Sequence, residues 1–107
     1  MFYLVQDDIG TQVRATITRE DDNLPADLSD ATVVLKFRAK GTSTILSTID
    51  CISSSAQLLN GEAVFQFTNG QLSVEEGKYE GEIEATFTDG RIESVFEKLE
   101  FYVRQDF

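Results

Sequence analysis

The sequence has 107 residues, 41% hydrophobic and 26% charged, the composition of one globular domain and not of a disordered chain. Nineteen acidic against nine basic residues give a net charge of −10, a field that repels phosphate backbones and anionic bilayers, so neither nucleic acid nor a membrane is an expected partner. The absence of histidine and the single Cys51 remove histidine acid–base chemistry, an internal disulfide and a cysteine zinc site. No apolar run approaches the ~20 residues of a membrane span. The opening Met1-Phe-Tyr-Leu-Val-Gln-Asp-Asp lacks the basic region of a signal peptide, so secretion is not expected.

Turn residues recur at short intervals, at Gly10, Asp21–Pro25, Gly41, Asn60-Gly61, Asn69-Gly70, Gly77 and Asp89-Gly90. Between them apolar and polar residues alternate with period two, the pattern of an all-β sandwich or barrel. The first strand is expected over residues 2–6. The second covers 11–18, with Val13, Ala15 and Ile17 on one face. The third covers 32–38, with Val33, Leu35 and Phe37 inward and Val34 an exception on the outer face. Residues 43–53 read as a weaker strand of ambiguous phase. The fifth strand, 62–68, turns Ala63, Phe65 and Phe67 to one side. The sixth, 79–88, is the clearest, with Tyr79, Gly81, Ile83, Ala85 and Phe87 on one face and Glu80, Glu82, Glu84, Thr86 and Thr88 on the other. Gly81 on the inward face implies a bulge or a bulky neighbour filling its space. Asp89-Gly90 is a strong hairpin turn and leads into 91–103. There Ile92, Ser94 and Phe96 fall in one phase and Leu99, Phe101 and Val103 in the other, so one extra residue near Glu97-Lys98 is expected. Ser73-Val-Glu-Glu76 has the form of a capping box and predicts one helical turn, ended by Gly77. The expected fold is an immunoglobulin-like antiparallel β-sandwich of about seven strands with one short helical turn, a single domain over 1–107.

Few residues suggest chemistry. Glu80, Glu82 and Glu84, with Glu93 and Glu97 or Glu100 across the hairpin, contain the carboxylate pairs that glycoside hydrolysis uses. A solvated sheet face predicts the same row, with Arg91, Lys98 and Arg104 partly neutralising it, and we read it that way. Glu20–Asn23 and Asp7-Asp8 offer oxygen ligands but not the spaced calcium loop, and turn chemistry accounts for them. Cys51 has no histidine or cation nearby to activate it. Gly70 through Gly77-Lys78-Tyr79 has the wrong spacing for a phosphate loop. No enzyme activity, cofactor or metal is expected.

The landmarks resemble a known family in their order and spacing. They are Phe2–Asp8, Asp27-Leu-Ser-Asp-Ala-Thr-Val33, Asn60-Gly-Glu-Ala-Val-Phe-Gln-Phe67, Gly77-Lys-Tyr79 and Thr88-Asp-Gly90. Together they resemble the immunoglobulin-like N-terminal domain of phage baseplate upper proteins, with Asp30 where that family usually has glycine. The resemblance implies a non-enzymatic virion structural protein, docking onto other virion proteins in the tail or baseplate. The small size also suits a capsid decoration protein seated on the major capsid protein. A homo-oligomer in a symmetric array fits either role. A cellular adhesion or carbohydrate-binding module is a remoter alternative, since neither a signal peptide nor an aromatic platform is present. Apolar terminal segments are unexpected at free ends, so Phe2, Tyr3, Leu4, Val5, Tyr102 and Phe107 are the candidate protein interface. The alternative for Phe2–Val5 is an ordinary strand paired into a sheet.

Overall fold

In the computed structural model, described over residues 1–19, 22–94 and 98–105, the alternating segments form eight strands and one short helix among the described residues. In chain order they are β1 (Phe2–Val5), β2 (Gln12–Thr16), β3 (Ala31–Ala39), β4 (Ser47–Asp50), α1 (Ser55–Leu59), β5 (Glu62–Gln66), β6 (Gly77–Phe87), β7 (Ile92–Ser94) and β8 (Leu99–Arg104). One sheet runs β1-β8-β6-β3-β4, with β7 also on β6, and faces a second made of β2 and β5. The strand with the cleanest alternation, β6, lies at the centre and pairs with β3 along nine positions from Ala31↔Phe87 to Ala39↔Tyr79.

Both sheets turn their apolar residues between them. Leu35, Phe37, Ile49, Ile83, Phe101 and Val103 of the large sheet meet Val13, Ala63 and Phe65 of the small one, with Phe67 beyond it, all essentially buried. Phe87, expected among them, is only half buried and packs at the margin under the Arg91 guanidinium, 4.7 Å from the ring centre. Gly81 stands opposite Phe37. A Cβ there would lie 2.6 Å from Leu35 Cδ1 and 3.0 Å from Phe101 Cε2, so the missing side chain is replaced by its bulky neighbours.

Four features depart from the sequence expectation. First, β1 runs parallel to β8 in an otherwise antiparallel sheet. The whole domain separates the two strands, so no short turn dictates their relative direction. Second, the helical turn is not at Ser73–Glu76. It is α1, where the Ser54 hydroxyl accepts from the Gln57 N–H at 3.2 Å and Gln57 Oε1 accepts from the Ser54 N–H at 2.8 Å. Ser73 instead donates its hydroxyl to Asp7 Oδ1 at 2.8 Å, binding the 70s loop to the end of β1. Third, 43–46 is loop, and only Ser47–Asp50 of the expected 43–53 strand pairs as β4. Fourth, β7 and β8 take turns along one edge of β6. Five residue steps separate Ser94 from Leu99 while three separate their partners Glu84 and Gly81. The register therefore slips by two and not one, and parity is preserved. Ile92 pairs with the outward Thr86 and is 64% exposed. Glu97, where the extra residue was expected, lies outside the described residues.

Candidate interaction surface

The outer face of the large sheet carries the glutamate row, and the β3–β6 register decides what that row meets. Cross-strand neighbours share a face, so the outward Lys36 and Arg38 of β3 lie beside Glu82 and Glu80. Arg38 Nε donates to Glu80 Oε1 at 2.9 Å, and Nη1 approaches Glu82 at 3.9 Å. Lys36 Nζ donates to Glu84 Oε2 at 2.7 Å, and Lys40 reaches Glu100 of β8 at 3.2 Å. The neutralising cations come mainly from β3. Of the three expected ones, Lys98 lies 3.9 Å from Glu80, and Arg91 pairs with Asp89 at 2.8 Å.

Arg38 and Glu80 are 14% and 11% exposed, a nearly buried pair on a face that looks outward. The Arg38 hydrogen bond holds the Glu80 carboxyl below the usual glutamate value against the opposing effect of burial, with help from Lys98 and a Gly41 N–H. That direction is wrong for a general acid, which needs a raised value. The Lys36 ammonium is pushed up by its bond to Glu84.

The Glu80 shift predicts an acid-sensitive contribution to stability. The unfolded chain holds Glu80 near 4.5 and the folded chain lower, so between the two values the unfolded state binds more protons and stability rises with pH. The contribution is complete above the unfolded value and is lost as pH falls through the folded one. Urea midpoints taken between about pH 6 and pH 3 should therefore fall less steeply for Arg38→Met than for the parent chain. Equal slopes would show that the pair does not couple to protonation.

The candidate interface residues separate by strand parity. Leu4 is 2% exposed and Phe2 stacks on Phe101 with ring centres 5.5 Å apart. Leu4 belongs to the core and Phe2 packs against it, so neither presents a free side chain for docking. Val5 is half buried. Tyr3 is 66% exposed and lies beside Tyr102 on the outer face, ring centres 6.5 Å apart. Tyr102 donates its hydroxyl to Glu76 at 3.1 Å, which raises its pKa. Phe107 lies outside the described residues. The structure thus joins Tyr3 to Tyr102 into an aromatic pair at the sheet margin. Both residues stand out in the sequence but their contact does not, because that contact depends on the parallel β1–β8 register.

The remaining candidates are accounted for locally. Asp22 pairs with Arg19 and accepts the Leu24 N–H at 3.0 Å, and Asp7 holds Ser73; Glu20 and Asp21 lie outside the described residues. Among the described residues no group of three or more His, Cys, Asp or Glu could hold a metal ion. Cys51 is half buried, its thiol 3.3 Å from the Ser53 hydroxyl. A cleft unforeseen from the sequence lies among Asp27, Asp30, Phe87, Thr88, Asp89 and Arg91. Two of its three carboxylates are engaged, Asp27 by Ser29 and Asp89 by Arg91, and both are held below the usual value.

Eight alternating strands in two facing sheets around one apolar layer define an immunoglobulin-like β-sandwich. No family model matches the chain, and no curated protein matches it. Among solved structures it is similar to CopC from Methylosinus trichosporium OB3b, with a TM-score of 0.52 at 12% identity over 97% of this chain and 83% of that one. At that identity the likeness shows the fold alone.

Proposed function

We propose that this domain is a non-enzymatic structural component of a phage virion that docks onto other virion proteins, in the tail or baseplate, through the β1–β8 margin. The observation that carries the docking surface is Tyr3, 66% exposed beside Tyr102. A large aromatic left in water at a sheet margin is the kind of group that anchors protein interfaces, with its ring buried on binding and its hydroxyl still bonded. The virion assignment rests on the ordered sequence landmarks. The balanced ion-pair ladder beside this margin lowers the repulsion that a chain of charge −10 would otherwise present to a partner.

Because Leu4 is in the core, deleting residues 1–5 would test folding and not docking. Tyr3→Glu changes only an exposed side chain. In particles assembled by the phage that encodes the protein, the parent chain is expected to purify with the tails, and Tyr3→Glu to be depleted there about tenfold, the loss of one anchor of about 1.4 kcal/mol. Glu82→Gln should be incorporated like the parent. Parent protein found with heads, or with neither fraction, would overturn the tail assignment, and undiminished incorporation of Tyr3→Glu would overturn the surface.

A further inference from the structure

We infer that the open edge of β1 pairs with β1 of a second copy of this chain, antiparallel about a two-fold axis, joining the two large sheets into one. Pairing to β8 uses one side of β1 only. The Gln6 N–H donates to the Arg104 carbonyl at 2.9 Å, and backbone groups alternate sides along a strand. The amides of Phe2 and Leu4 therefore point to β8, and those of Tyr3 and Val5 point away from it. β1 ends the strand order of its sheet, and none of the turn, loop or cap bonds among the described residues uses the Tyr3 or Val5 N–H.

Exposed strand edges are normally protected by charge, proline or a bulge. The β2 strand carries the exposed Arg14 and β4 the exposed Asp50. Phe2-Tyr-Leu-Val has no charge and no proline, and its register to β8 runs without a bulge. In a chain of net charge −10, an uncharged edge is where two copies approach with least repulsion. The edge is also self-complementary. Placing Leu4 opposite Leu4 sets Tyr3 against Val5 of the second copy, and these are the residues whose N–H groups point away from β8. The Val5 carbonyl already accepts the Asp8 N–H at 3.3 Å and has a second lone pair to offer the Tyr3 N–H of the second copy. Side-chain parity agrees, since Tyr3 would extend the outer-face row Tyr102–Tyr3 onto Val5 of the second copy while the two Leu4 side chains stay on the core face. Asp7, at φ +64, turns the chain away after Gln6 and confines the pairing to β1.

Three measurements on the purified full chain test this, and none draws on the virion reading. Sedimentation equilibrium is expected to give twice the chain mass of 12.0 kDa at high concentration, with association strengthened by added salt as like charges are screened. Val5→Pro removes an outward N–H and spares the bonds to β8, so it should return the mass to that of one chain with an unchanged melting temperature. In the parent chain, amide exchange should slow at Tyr3 and Val5 as concentration rises, while the Leu4 amide is protected at every concentration. This readout holds even if the proline variant fails to fold. A single-chain mass up to about 1 mM, a dimer that salt dissolves, a dimer that survives Val5→Pro, or exchange at Tyr3 and Val5 independent of concentration would each overturn the pairing.

Discussion

Phe37→Ala is expected to destabilise the domain by about 3–5 kcal/mol, the range for truncating a buried phenylalanine. Its ring is fully buried at a junction between layers. It stacks on Tyr79 at 5.1 Å and meets Phe67 and Phe101 edge-on at 5.3 and 5.5 Å. Phe67 follows the small sheet, and Tyr79 and Phe101 belong to two strands of the large one, so the hole left by Phe37 would border every layer of the core. Gly81 opposite it has no side chain to move in. Domains of this size are stable by only about 5–15 kcal/mol, so a large part of the total is at risk. Urea unfolding of the variant should show a much lower midpoint with an unchanged slope. Phe87→Ala supplies the contrast, because that ring is half exposed and loses chiefly its contact with Arg91; about 1–2 kcal/mol is expected. Equal losses at the two positions would contradict the burial of Phe37.

What the sequence made legible was what depends on alternation alone. The faces of β3 and β6 follow from residue parity, and so does the inward set Leu35, Phe37, Ile83 and Ala85. Direction and partner do not follow from parity. Nothing in Phe2–Val5 says that it runs parallel to β8, and that register is what brings Tyr3 to Tyr102 and sends Leu4 inward. The Glu80–Glu82–Glu84 row is visible in the sequence, but two of its cations are not near it in the chain: Lys36 and Arg38 reach it from 48 and 42 residues away. Two segments had a serine followed three residues later by a capping partner, and tertiary context chose between them. Ser73 is taken by Asp7, while Ser54 is left to cap α1. The phase difference between Ile92 and Leu99 is visible in the sequence, but that it needs no extra residue is seen only in the pairing, where Ile92 stands beside the outward Thr86 and the two-residue slip against β6 keeps parity.

Two glycines that look alike as turn residues differ in what surrounds them. Gly41 and Gly61 both have positive φ, +81 and +70, so an alanine at either is strained by about 1 kcal/mol or somewhat more. Around Gly41 a Cβ would meet nothing within 4 Å. Gly61 follows the last turn of α1, its N–H donating to the Leu58 carbonyl at 3.0 Å, and is pressed against backbone on its other side. The Ile17 N–H donates to its carbonyl at 2.8 Å and the Ala26 N–H to the Ile17 carbonyl at 2.9 Å. A Cβ at position 61 would lie 2.3 Å from the Ile17 oxygen and 3.0 Å from the Ala26 oxygen. Those are main-chain atoms tied into the end of β2, so relief requires the helix turn to move away from the chain that leads out of the small sheet. Gly61→Ala is therefore expected to cost on the order of 3–5 kcal/mol, strain and displacement together, and Gly41→Ala about 1 kcal/mol. Denaturation midpoints of the two variants, measured side by side, decide between strain alone and close approach. Losses equal within about 0.5 kcal/mol would mean that backbone strain is the whole effect and that the α1–β5 turn is not packed against residues 17 and 26 as described.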